Sequence, residues 1–294
     1  MLGALLGDLL QLPDVAITTT RDPRLPALDF PVRIEPAQEN IWEHWSQCIA
    51  EADAVWPIAP ESDGVLERIS TMAAGRMLLG CAPEAVRLAA SKQATARRLE
   101  QAGITAVPTL LLSEFEPGPG SFVAKPDDGI GCEGCRVFDT ADALLNWMQG
   151  KSRTHVIQPW LAGEAASLSM ICRNGRAQLL SCNRQLIEVA DGEIHYHGSL
   201  LNDFVRYWPE FDQLAGRVAK AIPGLAGYVG VDVMVEQGGL TVLEINPRLT
   251  TSYVGMHRAT GVNPAGLVLD LLYNDRMIES TRIQRNPVRV SLDD

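Results

Sequence analysis

The chain reads as a mixed α/β protein, with a parallel α/β segment at its amino end and α+β lobes after it. Three observations carry that expectation. Residues 1 to about 83 alternate helix with strand, and the pattern from about His155 onward is strand-rich and antiparallel. The stretch Gly227 to Thr250, GYVGVDVMVEQGGLTVLEINPRLT, alternates in the manner of two strands about a glycine turn.

In the first segment, residues 1–83, the apolar run MLGALLGDLLQLPD predicts a helix at about 2–11. A strand follows at Val15–Thr18, a helix near Glu39–Ala52, a strand at Ala54–Ile58 and a helix from Pro60 to about Gly75. That order implies a small parallel sheet flanked by helices. The second segment, 84–154, opens with a helical run, Pro83–Ala102, closed by Gly103 as a C-cap. Strands around Thr109–Leu112 and Ser121–Lys125, a glycine-rich loop, a strand at Arg136–Phe138 and a helix at Ala141–Gln149 complete it. The third segment, 155–294, reads as strands Val156–Gln158, Ala166–Cys172 and Ala177–Asn183, then a helix at Pro209–Ala221, the Gly227–Thr250 hairpin, a helix at Pro264–Tyr273 and a polar tail.

At 294 residues the chain is long enough for about two domains with a buried core. Its net charge of −11 argues against nucleic acid or an anionic membrane as partner, because neither attracts an acidic surface. No apolar run approaches the roughly 18–20 residues of a membrane span. The first residues lack a basic n-region and are interrupted by Asp8, so they read as an amphipathic helix and not as a signal peptide. Six scattered cysteines do not form a disulfide framework, which points to a reducing cytoplasm.

The hairpin holds the strongest chemical signal. If it turns about Gly238 without a bulge, Asp232 lies opposite Glu244, and the period of two puts Asn246 on the same face. Facing strand residues have Cβ atoms about 4.5–5.5 Å apart, so two carboxylates there repel unless a positive charge lies between them. A hard cation bound by oxygen ligands answers this, and Mg²⁺ typically takes one or two protein carboxylates and completes its shell with phosphate and water. A solvated hairpin with scattered acids is the alternative reading.

Phosphate chemistry is suggested in FVAKPDDGIGCEGCRVF, Phe122 to Phe138, where Lys125 ends a strand and Gly129, Gly131 and Gly134 punctuate the loop after it. Glycines let backbone N–H groups approach a polyphosphate, and a lysine supplies a point charge. The spacing is neither the Walker pattern nor the dinucleotide fingerprint, and a plain surface hairpin remains open. Cys132 and Cys135 have CxxC spacing, but zinc needs two further ligands and no second pair follows; they read as small loop residues.

The ordered set Ser91-Lys92, Val123-Ala124-Lys125-Pro126 with its glycine loop, Gln158 to Glu164, Val231-Asp232-Val233 and Leu243 to Arg248 resembles the ATP-grasp superfamily of carboxylate–amine ligases. Asn183-Arg184-Gln185 and Asn246 to Thr251 resemble its small ligases that join tyramine to glutamate in methanofuran-type cofactor biosynthesis. The resemblance implies an ATP-grasp fold in which two lobes clasp ATP. It also implies roles. Lys92 and Lys125 reach the phosphates, and the loop Asp127–Gly134, with Asp128, Gly129, Gly131 and Gly134, closes over them. Gln158, Pro159, Trp160 and Leu161 form a hinge that holds adenine, and Glu164 takes the ribose hydroxyls. Asp232, Glu244 and Asn246 hold Mg²⁺, with Mn²⁺ as a substitute. Arg248 stabilises the acyl-phosphate or orients a substrate carboxylate, and Arg184 is a second candidate for phosphate contact, with an ordinary exposed arginine as its alternative. Carboxyl transfer of the biotin-carboxylase kind and a non-catalytic nucleotide-binding module are the competing readings.

The sequence departs from that pattern twice. Many relatives carry arginine two residues before the metal-binding aspartate, where this chain has Gly230, so either Arg248 or Arg184 covers the role or phosphate binding is weaker. Such ligases also commonly begin with a strand and a glycine turn, whereas this chain starts in the helix at Leu2–Leu10; either the true start lies upstream or this branch lacks the strand. The expected partners are a small-molecule acid and amine, with a homodimer open. His195, Tyr196 and His197, after the turn at Asp191-Gly192, are candidates for the mouth of the amine site.

Overall fold

Alternation of apolar residues through the second half of the chain builds one antiparallel sheet, and everything that positions the site hangs on it. The computed structural model describes residues 1–292. The amino-terminal part runs α1 (Leu2–Leu9), β1 (Thr18–Arg21), β2 (Arg33–Pro36), α2 (Ile41–Glu51), β3 (Ala54–Val55), α3 (Val65–Met72) and β4 (Met77–Leu78). Then come α4 (Pro83–Ala90), α5 (Lys92–Gln101), β5 (Leu110–Leu111), β6 (Phe122–Pro126), β7 (Arg136–Phe138), α6 (Ala141–Met148) and β8 (His155–Pro159). The rest is β9 (Glu164–Arg173), β10 (Arg176–Ala190), β11 (Glu193–Leu201), α7 (Trp208–Ala221), β12 (Gly227–Glu236), β13 (Gly239–Asn246), α8 (Tyr253–Thr260), α9 (Pro264–Asn274) and β14 (Val288–Ser291).

The large sheet has the order β13-β12-β9-β10-β11-β7-β6-β8-β5, with β14 pairing β11 beside β7. Its central strands are covered on both faces. Val229, Val231 and Val233 of β12 pack with α4, α5 and α7 through Val86, Leu99 and Phe211. On the other face Tyr228 and Ile171 pack with α8 and α9 through Met256 and Val268. The even-numbered side of β12 therefore starts in a core at Tyr228 and opens into a cavity from Gly230 onward. A third cluster, with Ala124, Leu144 and Ile157, seats α6 on the small β5–β8 end of the sheet. Among the described residues no helix is long and apolar enough to cross a membrane.

Several expected boundaries move for identifiable reasons. The amino-terminal strands do not form one sheet: β1–β2 and β3–β4 are separate parallel pairs, and the first expected strand lies later, at Thr18–Arg21. The helix expected from Pro60 starts only at Val65, because Asp63 and Gly64 take left-handed backbone angles (φ 56° and 68°) that a helix does not contain. The run Pro83–Ala102 breaks at Ser91, whose extended backbone (φ −91°, ψ 116°) and Oγ, accepting from Ala94 N–H at 3.1 Å, start a new helix at Lys92. β2, β4 and α8 had no counterpart in the sequence reading, and β11 (Glu193–Leu201) extends the short stretch expected after the Asp191-Gly192 turn. The polar tail contains β14, whose register against β11 pairs Gly198 with Ser291 and Leu201 with Val288.

Candidate active site

Asp232 and Glu244 face each other across the β12–β13 hairpin, as expected, but by a different device. The turn has two residues, Gln237-Gly238, which pairs Glu236 with Gly239 and Val233 with Val242. An extra residue, Leu243, bulges out of β13, and past it Asp232 meets Glu244. Without that bulge the two-residue turn would place Leu243 opposite Asp232 and turn Glu244 to the other face. Asn246 shares the face, and its Nδ2 donates to Asp232 Oδ2 at 3.2 Å.

The charge these carboxylates require comes from Lys92. Its buried ammonium, 5 % exposed, lies 3.3 Å from Glu244 Oε2 and donates to Gly129 O at 2.7 Å and Asp127 O at 3.4 Å. Burial alone would lower its pKa, but Glu244 foremost, with Cys135 and Asp127, outweighs that and holds it above the ordinary value. Burial pulls the Glu244 carboxyl up, yet Lys92 and then Lys125 overcome it and keep it well below the carboxylate range. Asp232 goes the other way: burial, then the Glu244 charge, push it well above the usual value. Such a pair of hard oxygen donors, with the Asn246 amide oxygen beside it, is the kind of set that suits Mg²⁺.

These groups line a cavity of about 350 Å³ that also receives Lys125, Arg248 and the hinge residues Gln158, Pro159, Trp160 and Leu161. Gln158 is buried and donates to Thr109 Oγ1 at 3.0 Å, so its side chain supports the strand end. Trp160 N–H is spent on Ser121 O at 2.9 Å, whereas Leu161 N–H has no protein acceptor among the described residues. Gly129 and Gly131 line the cavity on the lid loop, which folds as consecutive turns, with Glu133 N–H donating to Ile130 O and Cys135 N–H to Cys132 O.

Arg248 donates through Nε to Glu61 Oε2 at 2.7 Å, through Nη1 to Leu249 O at 3.0 Å and through Nη2 to Asn246 Oδ1 at 3.5 Å. Glu61, 5 % exposed and 187 residues away in sequence, was missed; nothing in the chain around it signals a partner so distant. Gly230 has a physical explanation. A Cβ there would stand 2.5 Å from Thr250 Cγ2, so Thr250 fills the place where an arginine would start.

Four expected site residues sit elsewhere. Arg184 points away from the cavity, between Glu164 and Asp203 and over the Phe204 ring at 4.6 Å. Alternation along β10 explains it: the neighbouring Gln185 takes the inward phase and donates to Asp232 Oδ1 at 2.9 Å. Glu164 is held by Arg184, with Arg206 3.7 Å away, and does not line the cavity. Asp128 is outside it too, bound to Arg153 at 2.8 Å and accepting from Asp63 N–H at 3.2 Å. Gly134 lies against Pro126 and does not line the cavity. Of the three residues proposed at the amine mouth, Tyr196 faces inward, while His195 and His197 are exposed on the opposite face, His197 paired with Glu188 at 2.9 Å.

Comparison with known proteins fits this geometry. The model of the ATP-grasp domain matches residues 89–252 and that of the pre ATP-grasp 3 domain residues 15–86. The chain belongs to the ATP-grasp family. It is 30 % identical over 204 residues to the tyramine–L-glutamate ligase of Methanocaldococcus jannaschii, covering 68 % of this chain and 56 % of that one. It thus spans little more than half of that relative's length. The fold matches the L-amino acid ligase from Bacillus licheniformis with a TM-score of 0.72 at 19 % identity, covering 98 % of this chain and 74 % of the other. It also matches the biotin carboxylase domain of Hydrogenobacter thermophilus 2-oxoglutarate carboxylase, in complex with MgADP, with a TM-score of 0.76 at 14 % identity, covering 96 % and 69 %.

The thiols on the lid have the opposite tuning from a metal or redox pair. Burial, then Cys135 and Glu244, push Cys132 up to about 12, and burial raises Cys135. Iodoacetamide at pH 8 is therefore expected to modify Cys132 in the native protein on the order of a hundredfold more slowly than a free thiol, because the thiolate is scarce. Rapid modification followed by mass spectrometry, or stoichiometric zinc in the purified protein, would contradict this.

Proposed function

We propose that the protein is an ATP-dependent ligase that joins a carboxylic acid to a primary amine through an acyl-phosphate, with glutamate as the acid and tyramine as the amine. The observation that carries the reading is the Asp232–Glu244 pair, compensated by Lys92, in one cavity with Lys125, Arg248 and a hinge strand. The similarity to a tyramine–L-glutamate ligase supports the substrates, and the resemblance at Asn183–Gln185 and Asn246–Thr251 motivates a proposed place in methanofuran-type cofactor biosynthesis.

The chemistry follows from charge. A carboxylate is a poor electrophile, so one of its oxygens attacks the γ-phosphorus of ATP, the bond to the bridging oxygen breaks, and ADP leaves. The amine nitrogen then attacks the acyl carbon, phosphate departs, and the nitrogen loses a proton. Asp232, Glu244 and Asn246 would hold Mg²⁺, which when bound supplies positive charge to the phosphate oxygens. Lys92 and Lys125 add fixed positive charge from two elements, α5 and β6. Arg248, oriented by Glu61, presents its guanidinium to an anionic acid or acyl-phosphate. The Leu161 N–H and the apolar hinge suit a purine edge. The lid over the phosphates keeps water from the acyl-phosphate.

Release of ADP measured over a panel of amino acids and amines tests the assignment. Glutamate and tyramine together are expected to stimulate it and to yield a γ-glutamyl amide by mass spectrometry; stimulation only by another acid–amine pair would keep the ligase class and reject these substrates. Glu244→Ala is expected to lower turnover by at least about a hundredfold while nucleotide binding survives in weakened form. Full activity of that variant at ordinary Mg²⁺ would sink the metal assignment.

The lid gives a separate check. Lys92 donates to Asp127 O and Gly129 O, contacts that phosphates would compete for. Amide hydrogen exchange through Gly129–Gly134 is expected to slow when an ATP analogue and Mg²⁺ are added. Unchanged exchange would count against closure.

A further inference from the structure

The cavity has two apolar walls, and a purine can occupy only one. The first is made by Met234 and Leu243 of β12 and β13 with the hinge, where the Leu161 N–H, without a protein acceptor among the described residues, offers an edge contact. The second lies across the sheet, beyond β9, on β10 and β11, and consists of Ile187, Ile194 and Tyr196. Ile187 pairs directly with Tyr196 across the two strands, and the side chains of all three residues line the cavity.

That second wall exists because of a register break. Leu186 pairs with Gly198, but Ile187 pairs with Tyr196, so His197 is an extra residue in β11. A regular ladder continued from Leu186 would put His197 opposite Ile187 and turn Tyr196 outward. Instead Tyr196 faces the cavity and its hydroxyl reaches Ser199 Oγ at 2.8 Å, a contact between residues three apart that an unbroken strand does not allow. The bulge needs glycine at 198: φ is +129°, and a Cβ would stand 2.1 Å from Val290 O. The Arg184 and Glu188 side chains and the His195 imidazole lie outside this wall. Burial keeps the Tyr196 phenol above its ordinary value, so the hydroxyl stays protonated and can donate or accept.

Resting on the ligase reading above, we infer that Ile187, Ile194 and Tyr196 form the acceptor subsite, which selects a primary amine with an apolar aromatic body and uses the Tyr196 hydroxyl to read a distal phenol. The amine end then points toward the charged half of the cavity, where the acyl group is activated.

The test compares tyramine with 2-phenylethylamine, which differ by one hydroxyl. Wild-type protein is first incubated with ATP, Mg²⁺, each amino acid of the panel and hydroxylamine, which traps an activated acyl group as hydroxamate without any acceptor subsite. Hydroxamate formation supports the ligase reading; none with any acid overturns that reading, and the subsite with it. Given hydroxamate, Tyr196→Phe is expected to lower the preference for tyramine over 2-phenylethylamine, as a ratio of kcat/KM, by about 3- to 10-fold. Ile187→Ala is expected to raise KM for both amines together, and His195→Ala on the outer face to leave the ratio unchanged. An unchanged ratio in Tyr196→Phe, alongside unchanged KM values in Ile187→Ala, would overturn the subsite while the ligase class stands.

Discussion

Two carboxylates placed opposite each other in a half-buried hairpin are unstable company unless cations stand beside them, and the architecture around Asp232 and Glu244 answers that requirement. Lys92 is the nearest cation, and its position is bought by a helix break. Had Pro83–Ala102 continued as one helix, Ser91 could not cap a new one, and Lys92 would not open α5 beside the β6–β7 loop. The same loop returns the favour through Asp127 and Gly129 carbonyls on the ammonium and through the Asp127 carboxylate on the Gln93 N–H at 3.0 Å. Breaking a buried pair by removing one partner generally costs about 3–5 kcal/mol, because the remaining charge is left without compensation. Glu244 is 23 % exposed, so solvent offsets part of that cost here.

Site construction in this protein depends on where strand alternation is interrupted. One bulge, at Leu243, brings Glu244 to Asp232; a second, at His197, exchanges an imidazole for a phenol on the cavity wall. Both act through the same rule, that a slip of one residue reverses every face beyond it. The covered sheet tolerates these slips because its central strands are anchored by large buried residues on both faces, among them Phe211 and Leu168 on one side and Tyr228 and Tyr253 on the other.

Much of this was legible in the chain. The alternation in Gly227–Thr250 located the hairpin and its facing carboxylates, and the lysine at the end of β6 was readable from its glycine-rich loop. The bulge was not, since a three-residue turn without one gives the same facing pair. Arg184 attracted attention by its charge, but strand phase decides which side chain faces in, and the neighbouring Gln185 holds that place. β14 had a weak signal in the alternation of Val288 and Val290; it gained a partner only through pairing with a strand some ninety residues earlier. Glu61 had none, because its meaning comes entirely from the approach of the amino-terminal segment to Arg248. The amino-terminal strands were misjudged as one sheet, since sequence order does not reveal that the exposed β1–β2 pair stands apart from β3–β4.

The central claim is that Lys92 is there to compensate the carboxylate pair, and a double-mutant cycle on stability tests it without reference to turnover. Chemical denaturation of the wild type, Lys92→Met, Glu244→Gln and the double variant gives the coupling directly. The account predicts that Lys92→Met alone is destabilising and that Glu244→Gln rescues part of the loss, with a coupling of roughly 1–3 kcal/mol. Strictly additive effects, or a Lys92→Met variant as stable as the wild type, would contradict it.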